Sequence, residues 1–111
     1  MAILISATGR DIESNIDLTF HWSYCFLIVD KLNNSLKPIE NRIKNHPNEI
    51  GDALDNLVKK EGVEIVITHE IGQRSFEEFK KHGIIIYQGK GNIGKVIRQL
   101  DEGKLSEIKN V

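Results

Sequence analysis

The stretch Val63-Glu64-Ile65-Val66-Ile67-Thr68-His69-Glu70-Ile71-Gly72-Gln73-Arg74-Ser75-Phe76-Glu77-Glu78-Phe79 decides the fold. Six residues, mostly apolar and β-branched, read as a buried strand. The chain then turns through Gly72 and enters a segment whose Phe76 and Phe79 fall on one helical face. Backbone N–H groups and a helix N-terminus therefore stand at the carboxyl end of a strand, where open α/β sheets bind ligands. Ser75 and Glu78 have capping-box spacing, which starts this helix at Ser75 or a turn earlier, and Gly83 ends it.

Outward from that stretch the same alternation continues. Ala2 to Ala7 is apolar on both faces and predicts a central strand. Thr8 to Tyr24 is polar and long for a loop in so small a domain, and such loops are functional or mobile. Cys25 to Asp30 reads as a second strand and Leu36 to Glu40 as a third, joined by a hairpin whose Asn33-Asn34 tolerates positive φ. Pro38 lacks an N–H, so the third strand belongs at a sheet edge, and Lys37 discourages edge-to-edge association. Ile50, Ala53, Leu54, Leu57 and Val58 place a helix over Glu49 to Glu61, stopped by Gly62. Ile84 to Tyr87 is a fifth strand. Asn92 caps a last helix carrying Ile93, Val96, Ile97 and Leu100 and ending near Gly103. The order β-β-β-α-β-α-β-α predicts a mixed sheet covered by helices in one domain spanning residues 1–111.

The bulk numbers narrow the function. Fifteen Lys and Arg oppose sixteen Asp and Glu, for a net charge of −1, so no general attraction to nucleic acid or anionic membrane is expected. The apolar N-terminal stretch is too short for a signal peptide or a spanning helix. Cys25 is the one cysteine and cannot form an internal disulfide. Together these favour a cytoplasmic protein, and the protected third strand favours a monomer.

Gly89-Lys90-Gly91-Asn92-Ile93-Gly94-Lys95-Val96 fits G-x-G-x-x-G between a strand and a helix. A dinucleotide fold needs a further strand bearing an acidic ribose ligand, and a P-loop needs Ser or Thr where Val96 stands. The plain reading is a tight turn before a helix. The functional reading is an anion site built from Gly89, Lys90, Gly91 and Lys95.

Four segments carry a family likeness. They are Phe20 with Phe26-Leu27-Ile28-Val29-Asp30; Gly51-Asp52-Ala53; Gly62 to Ile67 with Ile71-Gly72-Gln73-Arg74-Ser75-Phe76; and Gly91 leading through Val96-Ile97 to Gly103-Lys104-Leu105. On these the chain resembles the dinitrogenase iron–molybdenum cofactor biosynthesis family, which includes NifX, NafY and the C-terminal domain of NifB. The resemblance implies a ribonuclease H-like three-layer α/β/α fold. Its sheet would have five mixed strands in the order 3-2-1-4-5, with strand 2 antiparallel. One end of that sheet would collect Thr8-Gly9, His21, Trp22, Cys25, His69, Glu70 and the Gly89–Gly94 loop. The chain departs from the family at the turn before strand 2. It reads Thr19-Phe20-His21-Trp22, with His21 in place of a glycine and Thr19 where nitrogenase members carry a cofactor-linked histidine.

His21, Cys25 and His69 are the candidate metal ligands, because imidazole and thiolate suit iron, copper, zinc and iron–sulfur clusters. Gly72 joins them as a cofactor-binding turn. No CxxC or HxxxH spacing marks a fixed metal site, and Cys25 has a plain alternative as a small core residue. Nuclease chemistry needs several carboxylates around two metal ions, and the first strand offers none. No nucleophile–base pair or carboxylate dyad is legible either. The expected function is non-enzymatic. The protein would be a transient carrier or chaperone of an iron–sulfur or iron–molybdenum type cluster, exchanged with a donor or acceptor protein. The alternative is an interaction or regulatory domain binding a protein partner or small anion without metal. Trp22 and Tyr24, beside Phe20, are either an exposed contact patch or local core.

Overall fold

A computed structural model describes residues 1–111. The chain forms β1 (Ala2–Ala7), β2 (Cys25–Asp30), β3 (Ser35–Glu40), α1 (Ile50–Glu61), β4 (Val63–Thr68), α2 (Gln73–Lys81), β5 (Ile85–Gln88), α3 (Ile93–Asp101) and β6 (Ser106–Glu107). One mixed sheet runs in the order β3-β2-β1-β4-β5-β6. β1 pairs antiparallel with β2 and parallel with β4. It is the strand with every residue buried, as its apolar run, interrupted only by Ser6, requires.

Period-two alternation sorts the sheet's side chains between two cores. Leu4, Phe26, Ile28, Val66 and Ile86 face α1 and α2, meeting Leu54, Val58 and Phe79. Ile3, Ile5, Leu27, Val29 and Ile67 face α3, meeting Ile93 and Val96. α1 ends as its sequence predicts. Gly62 adopts φ +66°, a conformation that costs glycine nothing, and its N–H closes on the Val58 carbonyl at 2.9 Å. In the hairpin between β2 and β3, Asn34 takes φ +52° while the Asp30 carboxylate accepts from the Leu32 N–H at 2.9 Å.

Several boundaries differ from the sequence reading. The sheet has six strands rather than five. β6 is two exposed residues with no apolar pattern to announce them, and it pairs antiparallel with β5. β3 begins at Ser35, and β5 is shifted to Ile85–Gln88 because Ile84 folds into the core behind α2. α1 begins at Ile50, after a separate helical turn over Pro47–Glu49. α2 begins at Gln73, so Ser75 lies inside the helix, buried, and Gly72 is the N-cap with no side-chain bond. There is no capping box. At the edge, Pro38 lies opposite Leu27, and Lys37 is engaged by Glu61 of α1 at 2.8 Å.

The long Thr8–Tyr24 segment is fastened along its length. Ile16 and Phe20 are buried anchors. The Phe20 ring stacks on Phe26 at 4.8 Å and meets Phe79 edge-on at 5.4 Å. Aromatic pairs of this kind add about 0.5–1.5 kcal/mol beyond their area burial. The backbone pairs with β1, with Glu70 and with the loop before α3, through Ala7–Ile16, Thr19–Glu70 and Asn15–Asn92 bridges. No helix is long and apolar enough to cross a membrane.

Candidate functional site

The register brings the ends of four strands together. Ala7 of β1 lies opposite Cys25 of β2, and Thr68 of β4 opposite Gln88 of β5. The floor of this sheet end is a set of satisfied hydroxyls. Ser6 Oγ donates to the Asp17 carbonyl at 2.9 Å, so its 2.8 Å contact with Thr68 Oγ1 is a bond that Thr68 donates. Ser23 Oγ accepts from the Ala7 N–H at 2.9 Å and donates to the Cys25 carbonyl at 2.7 Å.

His21 is half-buried, its ring edge-on to Trp22 at 5.0 Å. Its turn is held by Asn41, which is 2% exposed and which sequence reasoning passed over. Asn41 Nδ2 donates to the His21 and Ser23 carbonyls at 2.9 and 2.8 Å, while Oδ1 accepts from the Ile43 N–H at 3.0 Å. An Asn in a polar connection carries no signal of such a role. Around the turn, Leu18, Trp22 (65% exposed) and Tyr24 (57% exposed) stand in solvent, while Phe20 is core. The aromatic question therefore divides, with Phe20 inside and the other two outside.

His69 follows β4 and is half-buried, and its carbonyl accepts from Gln88 Nε2 at 3.0 Å. Its Nδ1 is buried without a hydrogen-bond partner. The residue lines a cleft of about 620 Å³ with Glu70, Gln88 and the tail from Ser106 onward. The tail contributes a wall that no sequence motif announced. His21 and His69 flank the Thr19–Glu70 bridge, where Phe20 N–H donates to the Glu70 carbonyl at 2.9 Å and Glu70 N–H to the Leu18 carbonyl at 2.8 Å.

Cys25 lies elsewhere. Its side chain joins the α3-facing core, beneath the Thr8–Asn15 loop, and Sγ donates to the Gly9 carbonyl at 3.1 Å. Burial pushes the thiol's pKa above its ordinary value; Asp17 adds to the rise, and Arg10 and Lys44 oppose it. In this conformation Cys25 is a protonated core residue. The three candidate ligands do not converge as a closed triad, because the one set of His, Cys, Asp and Glu donors lying within 4.8 Å of one another is Asp55, Glu78 and His82.

The two helix N-termini near this end differ. At α3 the first turn is spoken for. Ile93 N–H donates to Ser14, Gly94 N–H to Ile12, and Lys95 N–H to the capping Asn92 side chain at 3.0 Å. Gly89 is required by packing, since a Cβ there would sit 2.8 Å from both Ile67 Cγ2 and Val96 Cγ1. Gly91 is required by its φ of +89°. The chain itself thus fills the N–H groups of Gly89 and of the first turn of α3, while those of Lys90, Gly91 and Asn92 have no partner in the chain. At α2, Gly72 leaves the Gln73, Arg74 and Ser75 N–H groups without partners in the chain, and a Cβ at Gly72 would touch nothing. The sheet end therefore offers two imidazoles, an open helix N-terminus and an apolar collar.

The fold is shared widely. The apo form of the orange protein from Desulfovibrio gigas superposes with a TM-score of 0.86 over 98% of this chain and 93% of that one, at 17% identity, a likeness of fold alone. A Thermotoga protein, solved by NMR and described as a candidate NifB protein, gives 0.81 at 26% identity over 99% of this chain and 95% of its own. An uncharacterized protein of Methanocaldococcus jannaschii is 31% identical over 100 residues, 85% of each chain. Residues 1–103 match the dinitrogenase iron-molybdenum cofactor family, and the chain belongs to it.

Proposed function

We propose that this protein is a non-enzymatic carrier that holds an iron–sulfur or iron–molybdenum type cluster at the sheet end and passes it to a partner protein. Family membership supplies the class of cargo. The observation that carries the assignment to this end is the state of its histidines. His69 Nδ1 is walled off with no hydrogen-bond partner, and His21 stands in a turn whose shape is fixed through its backbone by Asn41. Neither imidazole is committed to holding the fold, so both are free to ligate. A half-turn of the His69 ring exchanges its two edges and offers Nδ1 to the cleft. The unpartnered N–H groups at Gln73, Arg74 and Ser75 suit an anionic cluster or its acidic substituent.

Few ligands and an open surface suit transient binding, because a cargo must also leave. Cys25 contributes only if the Thr8–Asn15 loop lifts from it, so the resting contact belongs to His21, with His69 second. The test is anaerobic loading followed by gel filtration and metal analysis. Stoichiometric cluster on the wild type, reduced in His21→Ala, supports the reading. A wild type that retains no cluster from any iron–sulfur or iron–molybdenum donor overturns it.

A second reading rests on Trp22. A tryptophan 65% exposed beside Tyr24 and Leu18 is an apolar contact surface, and the same end would dock a protein without metal. Partner capture that survives His21→Ala and fails in Trp22→Ala would favour it.

A further inference from the structure

Far from the sheet end, α1 and α2 cross with one carboxylate from each and an imidazole between them. Asp55 lies on α1, Glu78 on α2, and His82 caps the end of α2. Their donor atoms all lie within 4.8 Å of one another. His82 Nε2 is already 3.0 Å from Asp55 Oδ1. Glu78 and His82 are four residues apart, so they share one face of the helix.

We infer that Asp55, Glu78 and His82 form a binding site for a single divalent first-row transition-metal ion, of which zinc is the reference case, separate from the cluster-carrying end. Two carboxylates and one imidazole are a donor set for zinc and its neighbours rather than for soft copper(I) or an iron–sulfur core. Metal–ligand bonds of about 2.0–2.1 Å set tetrahedral ligand atoms about 3.3 Å apart. The Asp55–His82 pair already meets that spacing, and only Glu78 has to close.

The surroundings favour such a site. The Glu78 side chain is 14% exposed and that of His82 21%. The Glu78 carboxylate sits over Gly51 of α1, where even a methyl group would come to 4.0 Å of both oxygens. Its Oε2 pairs with Lys81 at 3.2 Å, and its Oε1 makes no hydrogen bond. Lys59 occupies Asp55 Oδ2 at 3.0 Å and leaves Oδ1 to the shared centre. Lys59 and Lys81 are paired with two of the ligands, so an entering cation must outcompete both. Three protein ligands leave a coordination position to water. Along α2, at about 1.5 Å per residue, Glu78 and His82 lie roughly 9 and 15 Å from Gly72.

The test is calorimetric titration of the metal-free protein with zinc chloride, run beside His82→Gln, Glu78→Gln and His21→Ala. One zinc per chain is expected, with affinity falling at least about tenfold in His82→Gln and Glu78→Gln and unchanged in His21→Ala. Thermal unfolding of the metal-free variants checks that both glutamine proteins fold. Should either fail to fold, zinc-induced amide shifts in the wild type decide, and they are expected at Asp55, Glu78 and His82. No zinc binding at millimolar metal overturns the inference. So does wild-type affinity in His82→Gln, or shifts confined to His21 and His69. Cluster loading is read independently, because the cluster assay turns on His21 and this one on His82.

Discussion

The Cys25 thiol donates to the Gly9 carbonyl at 3.1 Å, pinning the first strand's outgoing loop to the incoming end of the second. The contact buries the one cysteine and raises its pKa above the ordinary 9.0. Native protein should therefore react with iodoacetamide far more slowly than urea-unfolded protein at neutral pH. Stability should also depend on this thiol. The folded state keeps the proton where the unfolded chain loses it, so the contribution is whole below pH 9.0 and lost as pH rises through the folded pKa. Urea midpoints between about pH 7 and pH 10 should fall more for the wild type than for Cys25→Ala. Equal falls would show that the thiol is not the titrating group.

Gly89→Ala should destabilise the fold by about 1–3 kcal/mol, the usual cost of overpacking. The new methyl would meet Ile67 and Val96 at 2.8 Å, one on a strand and one on a helix, with no flexible side-chain end to yield. Urea denaturation measures it. A neutral substitution would return the loop to a ligand-binding explanation.

Titration with inorganic phosphate should leave the amides of Ile93, Gly94 and Lys95 unshifted, because the first turn of α3 already donates to Ser14, Ile12 and Asn92. Asn92→Ala removes that cap and should cost about 0.5–2 kcal/mol. Its Nδ2 bond to the Glu13 carbonyl at 3.3 Å is lost as well, so amide exchange in the Asp11–Asn15 segment should quicken.

Asn41→Asp tests the support beneath His21. A carboxylate cannot donate, so the His21 and Ser23 carbonyls lose their partner and face a negative charge. A loss of about 1–3 kcal/mol is expected. Weaker cluster loading should accompany it even though no ligand is changed. Unaltered loading would mean that the turn needs no fixed shape.

The legible parts of this chain are those where local pattern and tertiary burial agree. Ala2–Ala7 is apolar but for Ser6 because both of its faces are covered, and Val63–Thr68 is largely apolar, its charged Glu64 standing exposed. Gly62 ends α1 because the turn there needs positive φ. The less legible parts are settled by neighbours remote in sequence. Ser75 has a capping residue's chemistry, yet the helix starts three residues earlier at Gly72 and the serine is buried within its first turn. G-x-G-x-x-G at Gly89 looks like a phosphate loop, but strand and helix close on the first glycine and the 12–14 segment accepts from the Ile93 and Gly94 N–H groups that open the helix. Cys25 and His21 stand four residues apart in the sequence, and no spacing rule tells that one turns under a loop while the other faces out. The Asp55–Glu78–His82 group joins two helices 23 residues or more apart, a distance at which no motif is visible.

The most direct measurement of the carrier claim is amide NMR of the protein loaded anaerobically with a paramagnetic iron–sulfur cluster. Broadening centred on Leu18 to Trp22 and His69 to Arg74, and largely absent at Asp55 and His82, is the predicted result. Broadening centred elsewhere, or none with the cluster remaining in solution, would contradict it.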